Sequence, residues 1–244
     1  METPPGILVQ GLSLQYAGLS VFEDLGFRID PQAFVVLLGP SGVGKTSLLR
    51  VIAGLEAPAS GSVAATDGKP LAGRIAYMGQ QDLLVPWASV LNNVMLGATL
   101  RGEKKQPDRA RHLLERVGLA GRENALPAQL SGGMRQRAAL ARTLYEQRPI
   151  VLMDEPFSAL DAITRARIQD LAAEVFRACT VLLITHDPME ACRLGQHLLV
   201  LAGSPARLGT PIIVPGTPPR ATDDEAVLHT QGHLMRALTG MAPA

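Results

Sequence analysis

The chain has 244 residues, 47% of them hydrophobic and 18% charged, and a formal net charge of +1. That length can bury a substantial core as one domain with a subdomain. The near-neutral balance lacks the basic field of a nucleic-acid binder, which argues against DNA or RNA as partner.

In chain order, the opening "METPPGILVQ" has neither the basic start nor the long apolar run of a secretory signal. The longest apolar stretches, "AFVVLLG" and "TVLLIT", fall short of the roughly 20 residues that span a bilayer. The expectation is a cytosolic chain, unless a partner brings it to a membrane.

The strand-like "FVVLL" runs directly into "GPSGVGKTS" and then into the helical "LLRVIAGL". This strand, glycine-rich loop and helix have the spacing and context of a P-loop. The loop residues Gly39, Pro40, Ser41, Gly42, Val43 and Gly44 allow backbone N–H groups to wrap phosphates. Lys45 supplies a point charge to the β and γ oxygens, the Thr46 hydroxyl is a Mg²⁺ ligand, and Ser47 completes the motif. A further strand, "RIAYMG", ends at Gln80.

From about Asp82 to Gln147 the chain becomes helix-rich, which predicts a helical insert in an α/β body. Within it lies "QLSGGMRQRAALART", a helix that starts on Ser131, Gly132 and Gly133. Ser131 suits an N-cap, but each helical Gly costs about 1 kcal/mol relative to Ala. A glycine pair at a helix start admits close approach of a ligand where N–H groups and the positive dipole point outward, as in phosphate sites.

"PIVLMDEP" then delivers Asp154 and Glu155 to the carboxyl end of a buried strand, where ligands gather in open α/β sheets. Asp154 is expected in the Mg²⁺ shell and Glu155 as the group that polarises the attacking water. The strands "TVLLITH" and "HLLVLAG" follow, with a helix over 164–178 before them. Their continuous apolarity predicts a sheet covered on both faces. Cys179 and Cys192 lack metal-ligand spacing and read as thiols of a reducing compartment. After Gly203 comes the proline-rich "GSPARLGTPIIVPGTPPR" and one amphipathic helix from about Asp223 to Leu238, read as an extension over 204–244. His229 and His233 share a face of that helix without an apparent third metal ligand.

The motifs "GPSGVGKT", Gln80, "LSGGM", "LMDEP", "SALD" and "TH", in this order from about Ile7 to Gly203, resemble those of the ATP-binding cassette (ABC) ATPases. The resemblance implies a P-loop NTPase fold of ABC ATPase type over residues 1–203, with a RecA-like core, a β-subdomain and a helical subdomain at about 82–147. It implies ATP and Mg²⁺ as cofactors and a homodimer in which Ser131, Gly132 and Gly133 face the γ-phosphate of an ATP held by the other subunit. Tyr16 is expected to stack on adenine, with packing as its alternative. Gln80 is expected to reach Mg²⁺ and the water, Asp161 to couple the two sites, and His186 to contact the γ-phosphate. Met134 stands where many relatives carry Gln.

The segment "QQDLLVPWASVLNNV" resembles that of bacterial importer ATPases, in which a residue like Trp87 anchors a helix of an integral membrane permease; core packing is the alternative. "LLVPW", "LSGGMRQR" and "THDPMEA" most resemble the nitrate, sulfonate and taurine group, which includes importers of thiamine-type pyrimidine precursors. The implied protein is peripheral on the cytoplasmic side of the plasma membrane and works indirectly with a solute-binding protein. A soluble ABC ATPase of iron–sulfur cluster assembly or of another non-importer ABC complex is the alternative.

Overall fold

The structure is a computed structural model that describes residues 3–240. The chain opens with an antiparallel pair, β1 (Ile7–Tyr16) and β2 (Leu19–Ile29). β3 (Phe34–Leu38) leads through the glycine-rich loop into α1 (Lys45–Ile52). β4 (Ser60–Ala65) returns to pair antiparallel with β1, and β5 (Ile75–Met78) closes this part. Next come α2 (Val90–Val94), α3 (Leu96–Leu100), α4 (Pro107–Arg116) and α5 (Gly132–Tyr145). They lie between β5 and β6 (Ile150–Asp154). The chain ends through α6 (Ala162–Val175), β7 (Thr180–Ile184), α7 (Pro188–Leu194), β8 (His197–Gly203), β9 (Ala206–Leu208), β10 (Ile212–Ile213) and α8 (Glu225–Gly240).

The strands form one sheet in the order β4-β1-β2-β9-β8-β3-β7-β6-β5, with β10 beside β8. β8, β3, β7, β6 and β5 are parallel neighbours. Their unbroken apolarity follows from burial on both faces. Val36 and Leu38 of β3 enter the core shared with the helical insert and α6, while Val35 and Leu37 enter the core under α1, β1 and β2. β3, β7 and β6 therefore aim their carboxyl ends at one edge, where ligands collect in such sheets.

The segment after Gly203 is woven into the body. Ala206 pairs with Phe22, and Leu208 pairs with Leu201, so β9 joins the antiparallel and parallel halves of the sheet. Ile212 pairs with Leu198. Arg220 is buried and donates to the carbonyls of Cys192, Gly195, Val214, Pro215 and Gly216. The proline-rich composition masks this role, because the pairing uses only the two short strands β9 and β10 and the bracing a single arginine.

Candidate functional site

The glycine-rich loop holds its shape by backbone crowding. Gly39 has φ +155°, and any Cβ there would strike the Leu201 carbonyl of β8. Gly44, with φ +105°, is the N-cap of α1, and a Cβ would lie 2.5 Å from Val21. Both positions demand glycine. Because Gly44 has no side chain, the start of α1 has no side-chain cap and its N–H groups stay available to an anion.

Around this loop the structure gathers one cleft, lined by Ser41, Gly42, Gly44, Lys45, Thr46, Ser47, Gln80, Asp154 and Glu155. Lys45 is buried, and its Nζ donates to the carbonyls of Gly39 and Pro40 at 2.8 Å each. Burial pulls its pKa down, against the opposing pull of Glu155 and Asp154. Asp154 ends β6 at 1% exposure, and its Oδ2 accepts from the Thr46 hydroxyl at 2.7 Å. Burial pushes the Asp154 carboxyl up despite that bond. A buried acid beside a hydroxyl and an amide side chain is an all-oxygen donor set of the hard kind that suits Mg²⁺.

Glu155 follows with φ +49°, a left-handed backbone that costs a non-glycine residue about 1–2 kcal/mol. Its amide donates to the Ile184 carbonyl of β7 at 2.9 Å. Its carboxylate oxygen Oε1 lies 3.2 Å from Nδ1 of His186, whose side chain is 62% exposed. Tyr16, 46% exposed at the end of β1, lies 3.2 Å from Ser47 Oγ and donates to Glu56, whose carboxylate raises the pKa of the phenol. The ring therefore stands at the rim of the cleft, out of the core.

Ser131, Gly132, Gly133 and Asp161 do not line this cleft. Ser131 caps α5, its Oγ accepting from the Met134 amide at 3.3 Å. The two glycines differ. A Cβ on Gly133 would lie 3.0 Å from the Ala159 carbonyl, whereas one on Gly132 would meet nothing nearer than Arg135 at 3.9 Å. Asp161 caps α6, accepting from the Thr164 amide at 3.0 Å, and such backbone bonds hold its carboxyl low.

Several connecting residues were given no role by the sequence reading, although three of them lie in the quoted stretch of α5. Gln136, buried on α5, donates to the Glu155 carbonyl at 3.3 Å. Arg135 pairs with Asp82 at 3.0 Å, and Arg142 donates to the carbonyls of Asp82 and Leu83, so α5 grips the loop just after Gln80. The one advance signal was polar residues interrupting the apolar stripe of α5. Farther along, buried Asn93 accepts from the Val85 amide at 2.7 Å and donates to the carbonyls of Val85, Ala88 and Ser89. That loop presents Trp87 at 82% exposure, which removes core packing as its explanation.

Known proteins resemble this chain closely. A family profile described as ABC transporter matches residues 22–158. An uncharacterized ABC transporter ATP-binding protein of Haemophilus influenzae is 43% identical over 96% of this chain and 99% of its own. Aliphatic sulfonates import ATP-binding protein SsuB 1 of Rhodococcus jostii is 48% identical over 80% of this chain and 79% of its own. Taurine import ATP-binding protein TauB of Pseudomonas fluorescens is 44% identical, covering 82% and 79%. Among solved structures, a dimeric ATP-binding cassette in a post-hydrolysis state bound to ADP and Pi superposes with TM-score 0.77 at 28% identity, over 86% of this chain and 99% of its own. With the P-loop, the paired acids and the helical insert in this arrangement, the chain belongs to the ATP-hydrolysing, ATP-binding subunits of ABC transporters.

Proposed function

We propose that the chain powers a bacterial importer of a small anionic solute of the organic sulfonate class, through a separate membrane permease. The observation that carries this reading is Trp87, held by Asn93 on a loop that α5 also grips and exposed to 82%. Large aromatic side chains presented on rigid supports are the usual anchors of protein interfaces. The solute class rests on the similarity to the sulfonate and taurine import proteins.

In the proposed chemistry, Lys45 exchanges the Gly39 and Pro40 carbonyls for the β and γ phosphate oxygens of ATP. Thr46, Asp154 and Gln80 would hold Mg²⁺, which supplies charge neutralisation at those oxygens. Glu155 orients and polarises the water, and the strained backbone fixes its carboxylate toward His186. His186 donates to the γ-phosphate, and Tyr16 stacks on adenine at the rim. Ser131, Gly132 and Gly133 serve the nucleotide of a second copy in a head-to-tail dimer, and Asp161 couples the two sites.

The test is co-expression with candidate permease subunits from the same genome and detergent purification of the complex. Trp87→Ala should keep basal ATP turnover within about twofold while most of the permease is lost from the complex. Undiminished co-purification would overturn the anchoring role.

A further inference from the structure

Beneath the loop that carries His186 runs a chain of buried polar groups outside the nucleotide cleft. Glu190 lies on α7 with its carboxylate buried; it accepts from Gln169 Nε2 of α6 at 3.0 Å and from the Thr185 hydroxyl. Thr185 Oγ1 in turn accepts from the Asp187 amide at 3.0 Å, and Asp187 caps α7 through the amides of Met189 and Glu190. Both neighbours of His186 are therefore fastened to one helix turn. Glu190, Thr185, His186 and Glu155 line one small cavity.

The chain continues away from the site. Gln169 Oε1 accepts from Arg193 Nη1 at 2.7 Å, and Arg193 Nε donates to the Arg220 carbonyl at 2.9 Å. The Arg220 amide returns a bond to the Arg193 carbonyl at 3.0 Å. Arg220 then ties down the carbonyls of Val214, Pro215 and Gly216. Gln169, Glu190, Arg193 and Arg220 are all buried. Well-packed apolar residues would serve stability as well or better in such places. A fully satisfied buried polar network instead specifies one arrangement rigidly.

We propose that Glu190 is a positioning residue for His186, and that the relay Glu190, Gln169, Arg193, Arg220 makes the C-terminal segment a brace of that loop. The inference rests on the reading of His186 as the γ-phosphate contact. Cutting the relay shifts the loop and slows hydrolysis, while Lys45, Thr46 and Tyr16, which lie elsewhere, keep ATP affinity.

Steady-state ATPase assays on Glu190→Ala, Glu190→Gln, Arg220→Met and the Glu190→Ala/Arg220→Met double variant test this, with folding checked by thermal unfolding. Glu190→Ala should lower kcat about tenfold with KM for ATP within about twofold, a pattern of lost transition-state contact. Glu190→Gln keeps an acceptor for Gln169 and turns an amide N–H toward the Thr185 hydroxyl, which then accepts where it had donated, and should restore kcat to within about twofold of the wild type. Arg220→Met should lower kcat about threefold, and the double variant should match Glu190→Ala within about 1.5-fold, because one relay cannot be cut twice. Should Arg220→Met fail to fold, Gln169→Met cuts the same relay and takes its place in the cycle. Unchanged kcat in Glu190→Ala, no rescue by Gln, a KM that rises as kcat falls, or multiplicative effects in the double variant would each overturn the inference. His186→Ala separates the two layers. Turnover surviving in His186→Ala refutes the reading of His186 itself, whereas loss there beside a silent Glu190→Ala refutes only the brace.

Discussion

Two helices of this protein begin on glycine, and they begin differently. α1 starts at Gly44 with a left-handed backbone and no side-chain cap, inside a cleft that already contains Lys45, Thr46, Gln80, Asp154 and Glu155. α5 starts at Ser131 in extended conformation, its first turn capped by the serine hydroxyl, and it lies outside that cleft. On the proposed reading the first is a phosphate site equipped within one chain. The second offers a helix start and a dipole but no cation or acid of its own in the cleft, so it makes chemical sense as one wall of a site completed by another copy. The glycine pair of α5 also divides: a Cβ on Gly133 would crowd the Ala159 carbonyl at 3.0 Å, whereas the space beside Gly132 is open.

This contrast breaks most visibly at Glu155, the proposed general base. Glu155→Gln should lower hydrolysis by about 10³-fold, within the range attributed to a positioned general base, while ATP binding persists. Retention of most of the turnover would reassign the base. Lys45→Ala removes the buried cation of the first helix start and should weaken ATP binding by about 2–5 kcal/mol, roughly 30-fold or more, by isothermal titration. The same titration on Ser131→Ala should show monomer affinity unchanged, and a parallel loss would place Ser131 in the first site. Urea unfolding sharpens the glycine pair. Gly133→Ala must push against the Ala159 carbonyl and should destabilise by about 1–3 kcal/mol, whereas Gly132→Ala should stabilise by about 0.5–1 kcal/mol through helix propensity. Equal effects would remove the distinction between them.

What could be read in the sequence was what is contiguous. The strand, loop and helix around Gly39–Ser47, and the apolar strand that ends at Asp154, sit in the structure where their patterns place them, because local pattern and buried position agree. The helices α2–α5 lie between β5 and β6, in the stretch where the period of the sequence changes. The contacts of Gln136, Arg142 and Glu56 were not legible, since each acts on a segment distant in the chain, and lying inside a quoted motif, as Gln136 does, says nothing of that partner. The contacts of the tail were not legible for the same reason. Its sheet pairing needs only Ala206 to Leu208 and Ile212 to Ile213, and the importance of Arg220 lies in carbonyls contributed by α7 and its own loop, which carry no side-chain signature. The reason for Gly133 was hidden likewise, because Ala159 belongs to the loop before α6.

The central claim is that the start of α5 serves a nucleotide held by another copy of the chain. Gel filtration in ATP tests it most directly, with Glu155→Gln as reference because slowed hydrolysis should let the closed dimer accumulate. The account predicts an ATP-bound dimer for Glu155→Gln and a nucleotide-bound monomer for Ser131→Glu/Glu155→Gln, since a carboxylate at Ser131 would face the γ-phosphate. A double variant that dimerises as readily as the single one would contradict it.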